Sequence, residues 1–108
     1  MKCIKDGICV SPGYLRGVCR VLESEDDIVN VEPGDIVVLP YSHPMFTLAL
    51  FKAGAVICEN GGKLSHICIV AMEMGIPCIT KVTNATKLLK SGQDVLVNTS
   101  NREIVIYE

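Results

Sequence analysis

One of the two histidines in the 108-residue chain, His66, sits where chemistry is possible. The stretch Glu59-Asn60-Gly61-Gly62-Lys63-Leu64-Ser65-His66 joins an apolar run, Ala55 to Glu59, to a helix-like run that ends at Gly75. If the first run is a buried strand, His66 falls in the first helical turn at the strand's carboxyl end, the edge where open α/β sheets bind ligands. A helix N-terminus offers unpaired N–H donors and a partial positive charge. Both suit a phosphate-like anion, and the same field favours a neutral imidazole. A neutral imidazole can take a phosphoryl group covalently. Gly61 and Gly62 let the backbone approach such a group closely, and Ser65 could help to hold its charge. The helix end supplies only ~0.3–1 kcal/mol per charge, so it tunes the site and is not the whole mechanism. Lys63 could pair with phosphate and Glu59 could orient the imidazole, although both also read as solvated charges. On residue types alone, His66 reads first as a satisfied histidine that caps a helix.

The surrounding pattern supplies the elements needed. Gly7 to Leu22 gives two short β-like runs around a turn at Ser11-Pro12-Gly13. Ser24 to Asp27 reads as a polar loop, and Pro33-Gly34 as a turn before the buried strand Ile36 to Leu39. Pro44 suits the first turn of a helix and Gly54 its end. That helix is nearly all apolar, so it is expected to be covered on much of its surface. Ser65 to Met74 reads as the next helix and Pro77 to Thr80 as a third strand. A short helix then follows, with Asn84 as its cap and Gly92 as its stop. Asp94 to Asn98 and Glu103 to Tyr107 alternate like an antiparallel pair. Three central strands joined by helices should be parallel, and the flanking strands can form a second layer. The expectation is a single α/β domain over residues 1–108, with two sheet layers, a partly parallel central sheet and one helix layer.

Composition narrows the function classes. A hydrophobic fraction of 49% and a mean hydropathy of +0.38 are high for a free-standing domain. Either the core is unusually complete or apolar surface awaits a partner. A net charge of −2 with scattered signs suggests neither nucleic acid nor an anionic membrane. No leader is recognisable and no run reaches the ~20 residues of a spanning helix, so the expectation is a cytoplasmic protein. Cys3, Cys9, Cys19, Cys58, Cys68 and Cys78 form no C-x-x-C pair. They read as small buried hydrophobes in a reducing compartment, with no metal site expected. His43 reads as a loop residue.

The stretch Gly61 to Thr80 resembles the signature of the phosphohistidine, or swivelling, domain of the phosphoenolpyruvate-utilising enzymes. The family pattern is roughly Gly-Gly-x-x-(Ser/Cys)-His-x-Ala-Ile-x-Ala-Arg-Glu-x-Gly-Ile-Pro. Gly61, Gly62, Ser65, His66, Ile69, Ala71, Glu73, Gly75, Ile76 and Pro77 match it. Ser11 to Val21, Val31 to Pro44 and Asn84 to Asn98 resemble the family's other segments, in order. The resemblance implies a swivelling β/β/α three-layer domain with His66 as the phosphorylated residue, and Gly61, Gly62 and Ser65 shaping the phosphate pocket. It also implies no directly bound cofactor, because phosphoenolpyruvate or ATP with magnesium would sit on a partner protein. A (β/α)₈ barrel alone takes ~250 residues, and no nucleotide-binding motif is present. The partner is therefore expected to be a separately encoded nucleotide- or phosphoenolpyruvate-binding protein, with no nucleic acid and no membrane, and a homo-oligomer left open. Met72 stands where the family has arginine, which removes a phosphate or interdomain contact. Ser42, His43 and Met45 replace the family's Thr-Asp-Pro surroundings. Two readings follow: a phosphocarrier working through His66, or a non-catalytic interaction module that keeps the fold. A role through the cysteines is a distant third.

Overall fold

A computed structural model describes residues 1–107. Its strands are β1 (Lys2–Lys5), β2 (Ile8–Ser11), β3 (Tyr14–Val21), β4 (Ile36–Tyr41), β5 (Ala55–Asn60), β6 (Cys78–Thr80), β7 (Asp94–Asn98) and β8 (Glu103–Tyr107). Three α-helices interrupt them: α1 (Thr47–Leu50), α2 (His66–Met74) and α3 (Ala85–Leu88). The strand order is β1-β8-β7-β3-β4-β5-β6-β2. β4, β5 and β6 run parallel, as the helical crossovers between them require. β7 and β8 pair antiparallel.

The two layers are joined through β3. Residues Tyr14 to Val18 pair antiparallel with β7, and Cys19 to Val21 pair parallel with β4. Near the end of the antiparallel pairing, Gly17 passes so near Gly34 that an added Cβ would lie 3.1 Å from the Gly34 carbonyl oxygen. The lack of a side chain lets one strand serve both sheets.

The continuous apolar runs of β4 and β5 are explained by their two covered faces. Ile36, Val38, Ala55 and Ile57 point into a core shared with Val95 and Val97 of β7 and Ile104 and Ile106 of β8. Val37, Leu39, Val56 and Cys58 point the other way, into a core with Phe46, Leu50, Ile67, Cys68 and Ala71 of the helix layer. Each fully buried side chain of this kind is worth about 1.5–3 kcal/mol. The architecture is the expected α/β arrangement of two sheet layers and one helix layer.

Four local expectations are corrected. The Pro44 segment is a 3₁₀ turn, Pro44–Phe46, followed by the single-turn α1, in place of a helix running to Gly54. Its chain is drawn out by bonds from Gly34 N–H to the Lys52 carbonyl and from Gly54 N–H to the Asp35 carbonyl, both 2.8 Å. Nor is it largely covered: Phe46, Ala49 and Leu50 are buried, but Leu48 and Phe51 are 67% and 68% exposed. The polar stretch after Ser24 is a 3₁₀ turn, Glu25–Asn30, whose Asp27 carboxylate accepts from the Glu23 and Ser24 N–H groups. Asn84 has φ +58° and makes no side-chain cap. Glu59 does that work from β5: its Oε1 accepts from Thr86 N–H at 2.9 Å and from the Thr86 hydroxyl at 2.8 Å. Glu59→Ala should therefore cost about 1.5–3 kcal/mol, the range for hydrogen bonds to a charged group, read as a lower midpoint in a urea melt. Glu59→Gln, which keeps one acceptor oxygen, should lose less.

All six cysteines are free thiols; Cys19, Cys58, Cys68 and Cys78 are buried. Burial pushes the Cys19 and Cys58 thiols up to about 12 and about 11. Cys78 hydrogen-bonds to Cys68, which lowers Cys68 and raises Cys78. Thiolate character at Cys68 gives no reactivity without access, and its exposure is 0%. A thiol reagent at pH 8 should label Cys3 and, more slowly, Cys9, while the other four react only after denaturation. Prompt modification of Cys68 in the folded chain would contradict this packing. Among the described residues no helix is long and apolar enough to cross a membrane, and no group of three or more His, Cys, Asp or Glu is arranged to hold a metal.

Candidate active site

The histidine loop is built from both sides. Gly61 follows β5 at φ +140°. A Cβ there would lie 2.8 Å from Ser42 Cβ and 3.1 Å from Ser65 Oγ. Its carbonyl accepts from the Thr80 hydroxyl at 2.7 Å, which ties the loop to β6. Gly62 differs: its φ is not positive, and nothing lies within 4 Å of an added Cβ. The Gly62 carbonyl accepts from both Ser65 N–H (3.0 Å) and Ser65 Oγ (2.6 Å), closing the turn into α2. Ser65 is thus the N-cap residue of α2, but its hydroxyl serves the loop and makes no cap bond.

The first turn of α2 is held from elsewhere. Ile67 N–H donates to Ser42 Oγ, 2.9 Å away beyond the end of β4. Ile67, Cys68 and Ala71 anchor the helix on the sheet, and Gly75 ends it at φ +70°, with Ile76 N–H bonding back to the Ala71 carbonyl. These contacts leave His66 exposed at the helix start.

His66 Nε2 lies 3.1 Å from the Thr47 hydroxyl of α1. That hydroxyl has one proton, and its 2.7 Å partner is the Pro44 carbonyl. With the proton on that bond, Thr47 accepts from an Nε2–H, and the ring lone pair is on Nδ1. Turning the ring off Thr47 frees Nε2. The side chain is therefore oriented without being buried, and one face of it stays open to an incoming group.

The remaining residues fall into clear places. Glu59 is engaged by Thr86 and does not touch the imidazole. Lys63 is exposed beside the loop and Glu73 is exposed on α2. Met72 is 37% exposed on the same helix. His43 Nδ1 accepts from Met45 N–H at 3.0 Å, a cap on the Pro44 turn. Beyond Gly61 opens a cleft of about 380 Å³ lined by Glu59, Asn60, Gly61, Lys81, Thr83 and Asn84. Thr47 was not legible as a site residue. Its only signal is being the single hydroxyl in the apolar run Met45 to Phe51.

Residues 31–102, which contain this whole arrangement, match the family model described as the PEP-utilising enzyme, mobile domain. The chain belongs to that family. It is 36% identical over 107 residues to a "Probable phosphoenolpyruvate synthase" of Archaeoglobus fulgidus, a match covering 99% of this chain and 14% of that protein. It is 38% identical to the phosphoenolpyruvate synthase of Pyrococcus furiosus, over 88% of this chain and 12% of the relative. It is 37% identical to the rifampicin phosphotransferase of Bacillus cereus, over 85% of this chain and 10% of the relative. This mobile domain is thus a small fraction of the length of the proteins it resembles. Among solved structures, aconitase X of Thermococcus kodakaraensis shares the fold at a TM-score of 0.74 and 16% identity, each chain covered fully. An Enzyme I structure aligns at a TM-score of 0.61 and 22% identity, over 73% of this chain and 33% of that one. At those identities the two structures speak for the fold alone.

Proposed function

We propose that this mobile domain is a phosphohistidine carrier working through His66. The observation that supports it most is an exposed imidazole at the start of α2 whose Nε2 is held by the Thr47 hydroxyl at 3.1 Å. In the first turn, the N–H groups of His66 and Cys68 have no acceptor among the described residues, which suits them to a phosphoryl oxygen. In the transfer step, a ring nitrogen lone pair attacks phosphorus. The bond from phosphorus to the donor's leaving oxygen breaks, its electron pair stays on that oxygen, and the ring proton is lost. Transfer to the acceptor reverses this sequence. Gly61 and Ser65 hold the loop in shape, Gly62 leaves its mouth open, and Lys63 offers a nearby cation.

The donor, phosphoenolpyruvate or ATP with magnesium, sits at a nucleotide- or phosphoenolpyruvate-binding site outside this domain, in the cytoplasm. Exposed Leu48, Phe51 and Leu64 near the histidine suit repeated docking. One observation favours the non-catalytic module: Met72, in place of the family arginine, presents no charge at the surface of α2. A pulse-chase separates the two readings. The chain is incubated in native extract with isotope-labelled phosphoenolpyruvate or ATP, then chased with pyruvate or the dephosphorylated nucleotide. A carrier loads the label on His66 and gives it up in the chase. A module never loads, or holds the label without release.

A further inference from the structure

Four hydroxyl groups surround the histidine loop, and counting their protons distinguishes one of them. Thr47 donates to the Pro44 carbonyl, Ser65 to the Gly62 carbonyl and Thr80 to the Gly61 carbonyl, at 2.7, 2.6 and 2.7 Å. Each of these protons is committed to the backbone. Ser42 is different: its Oγ accepts from Ile67 N–H at 2.9 Å, and its own proton has no acceptor among the described residues. Ser42 is also fixed in place. Its N–H donates to the Asn60 carbonyl at 3.1 Å, and its Cβ occupies the space a side chain at Gly61 would need. It is therefore a half-buried hydroxyl on a rigid mount, polarised by the N–H of Ile67, the residue that follows the histidine.

We propose that Ser42 donates its hydroxyl proton in a hydrogen bond to the phosphoryl group on His66, relaying the Ile67 N–H to the anion. The inference rests on the carrier reading. A donor that is itself accepting a hydrogen bond is strengthened by it, and bonds to charged oxygens are the strong class. Ser42 then takes up a phosphoryl oxygen that the His66 and Cys68 N–H groups do not reach. Ser65 and Thr80 cannot substitute without breaking the loop that holds the histidine, nor Thr47 without breaking its bond to the Pro44 turn.

The test uses phosphoramidate, a small phosphoryl donor that loads imidazoles without any partner protein. The full chain, Ser42→Ala and Ser42→Thr are loaded at alkaline pH, and the lifetime of phospho-His66 is followed by phosphorus NMR well below each melting temperature. Ser42→Ala should shorten the lifetime about tenfold or more, in line with a lost bond to a charged group. Ser42→Thr, which keeps the hydroxyl, should restore it to within about threefold. A merely structural serine would lower the melting temperature of Ser42→Ala and leave the lifetime unchanged, which overturns the proposal. If Ser42→Ala does not fold, Ser42→Cys, a weak donor of similar size, is expected to fall between the wild type and a full loss, and a wild-type lifetime there overturns it. Failure of the carrier reading looks different: the wild type loads from phosphoramidate but from no native partner. A wild type that does not load from phosphoramidate contradicts a donor-lined, open imidazole and overturns the proposal as well.

Discussion

Gly61→Ala is expected to remove about 2–6 kcal/mol of stability and to silence His66. Two costs add. The residue sits at φ +140°, which side-chain-bearing residues rarely adopt, and such strain costs about 1–3 kcal/mol. The new Cβ would also meet Ser42 Cβ at 2.8 Å, and overpacking of a tight site typically costs about 1–3 kcal/mol. Ser42 cannot yield freely, because it holds Ile67 N–H at the start of α2. Relief of the clash therefore displaces the helix end that presents the histidine. Gly62→Ala is the matched comparison. With nothing within 4 Å and no positive φ, it should change stability by less than about 0.5 kcal/mol. Urea melts of the two variants, with phosphoryl loading of each, measure both effects. Equal destabilisation by the two substitutions would mean that the loop is not built as described.

The second large effect belongs to Phe46→Ala. Phe46 is fully buried between Tyr41, whose ring centroid is 5.7 Å away, and the helix-layer core. Truncating a buried phenylalanine typically costs about 3–5 kcal/mol, against a total stability of about 5–15 kcal/mol for a domain. The midpoint of a urea melt should fall sharply with little change in slope. Phe46 also immediately precedes Thr47, so a cavity beneath it loosens the hydroxyl that orients His66. Loading should slow even in conditions where the variant is folded. Loading at the wild-type rate by folded Phe46→Ala would show that Thr47 does not depend on this packing.

The central β-α-β-α-β unit was readable because its signals are local. Continuous apolar runs bounded by Gly and Pro mark β4, β5 and β6, and Gly75 marks the end of α2. The break at Gly61-Gly62 between an apolar run and a helix-like run placed His66 in the first helical turn, where the structure has it. What escaped was decided by contacts distant in sequence. Nothing in Tyr14 to Val21 announces that one strand changes partner half-way. Asn84 has the right type for a cap, but Glu59, 27 residues from Thr86, holds that helix end. The Pro44 segment is apolar enough to suggest burial all round, yet Leu48 and Phe51 face outward, because a single turn has only one side against the core. Thr47 reaches His66 across 19 positions in the chain, a pairing that no periodicity encodes.

The most direct measurement is the intact mass of the chain after incubation in native extract with phosphoenolpyruvate or with ATP. Samples are kept alkaline because phosphohistidine is acid-labile, and His66→Ala is run alongside. The predicted result is a single added phosphate on the wild type that disappears in acid and never forms on the variant. No adduct from either donor, in an extract whose own phosphoenolpyruvate-utilising enzymes do become phosphorylated, would contradict the carrier and leave a binding module on a phosphotransfer fold.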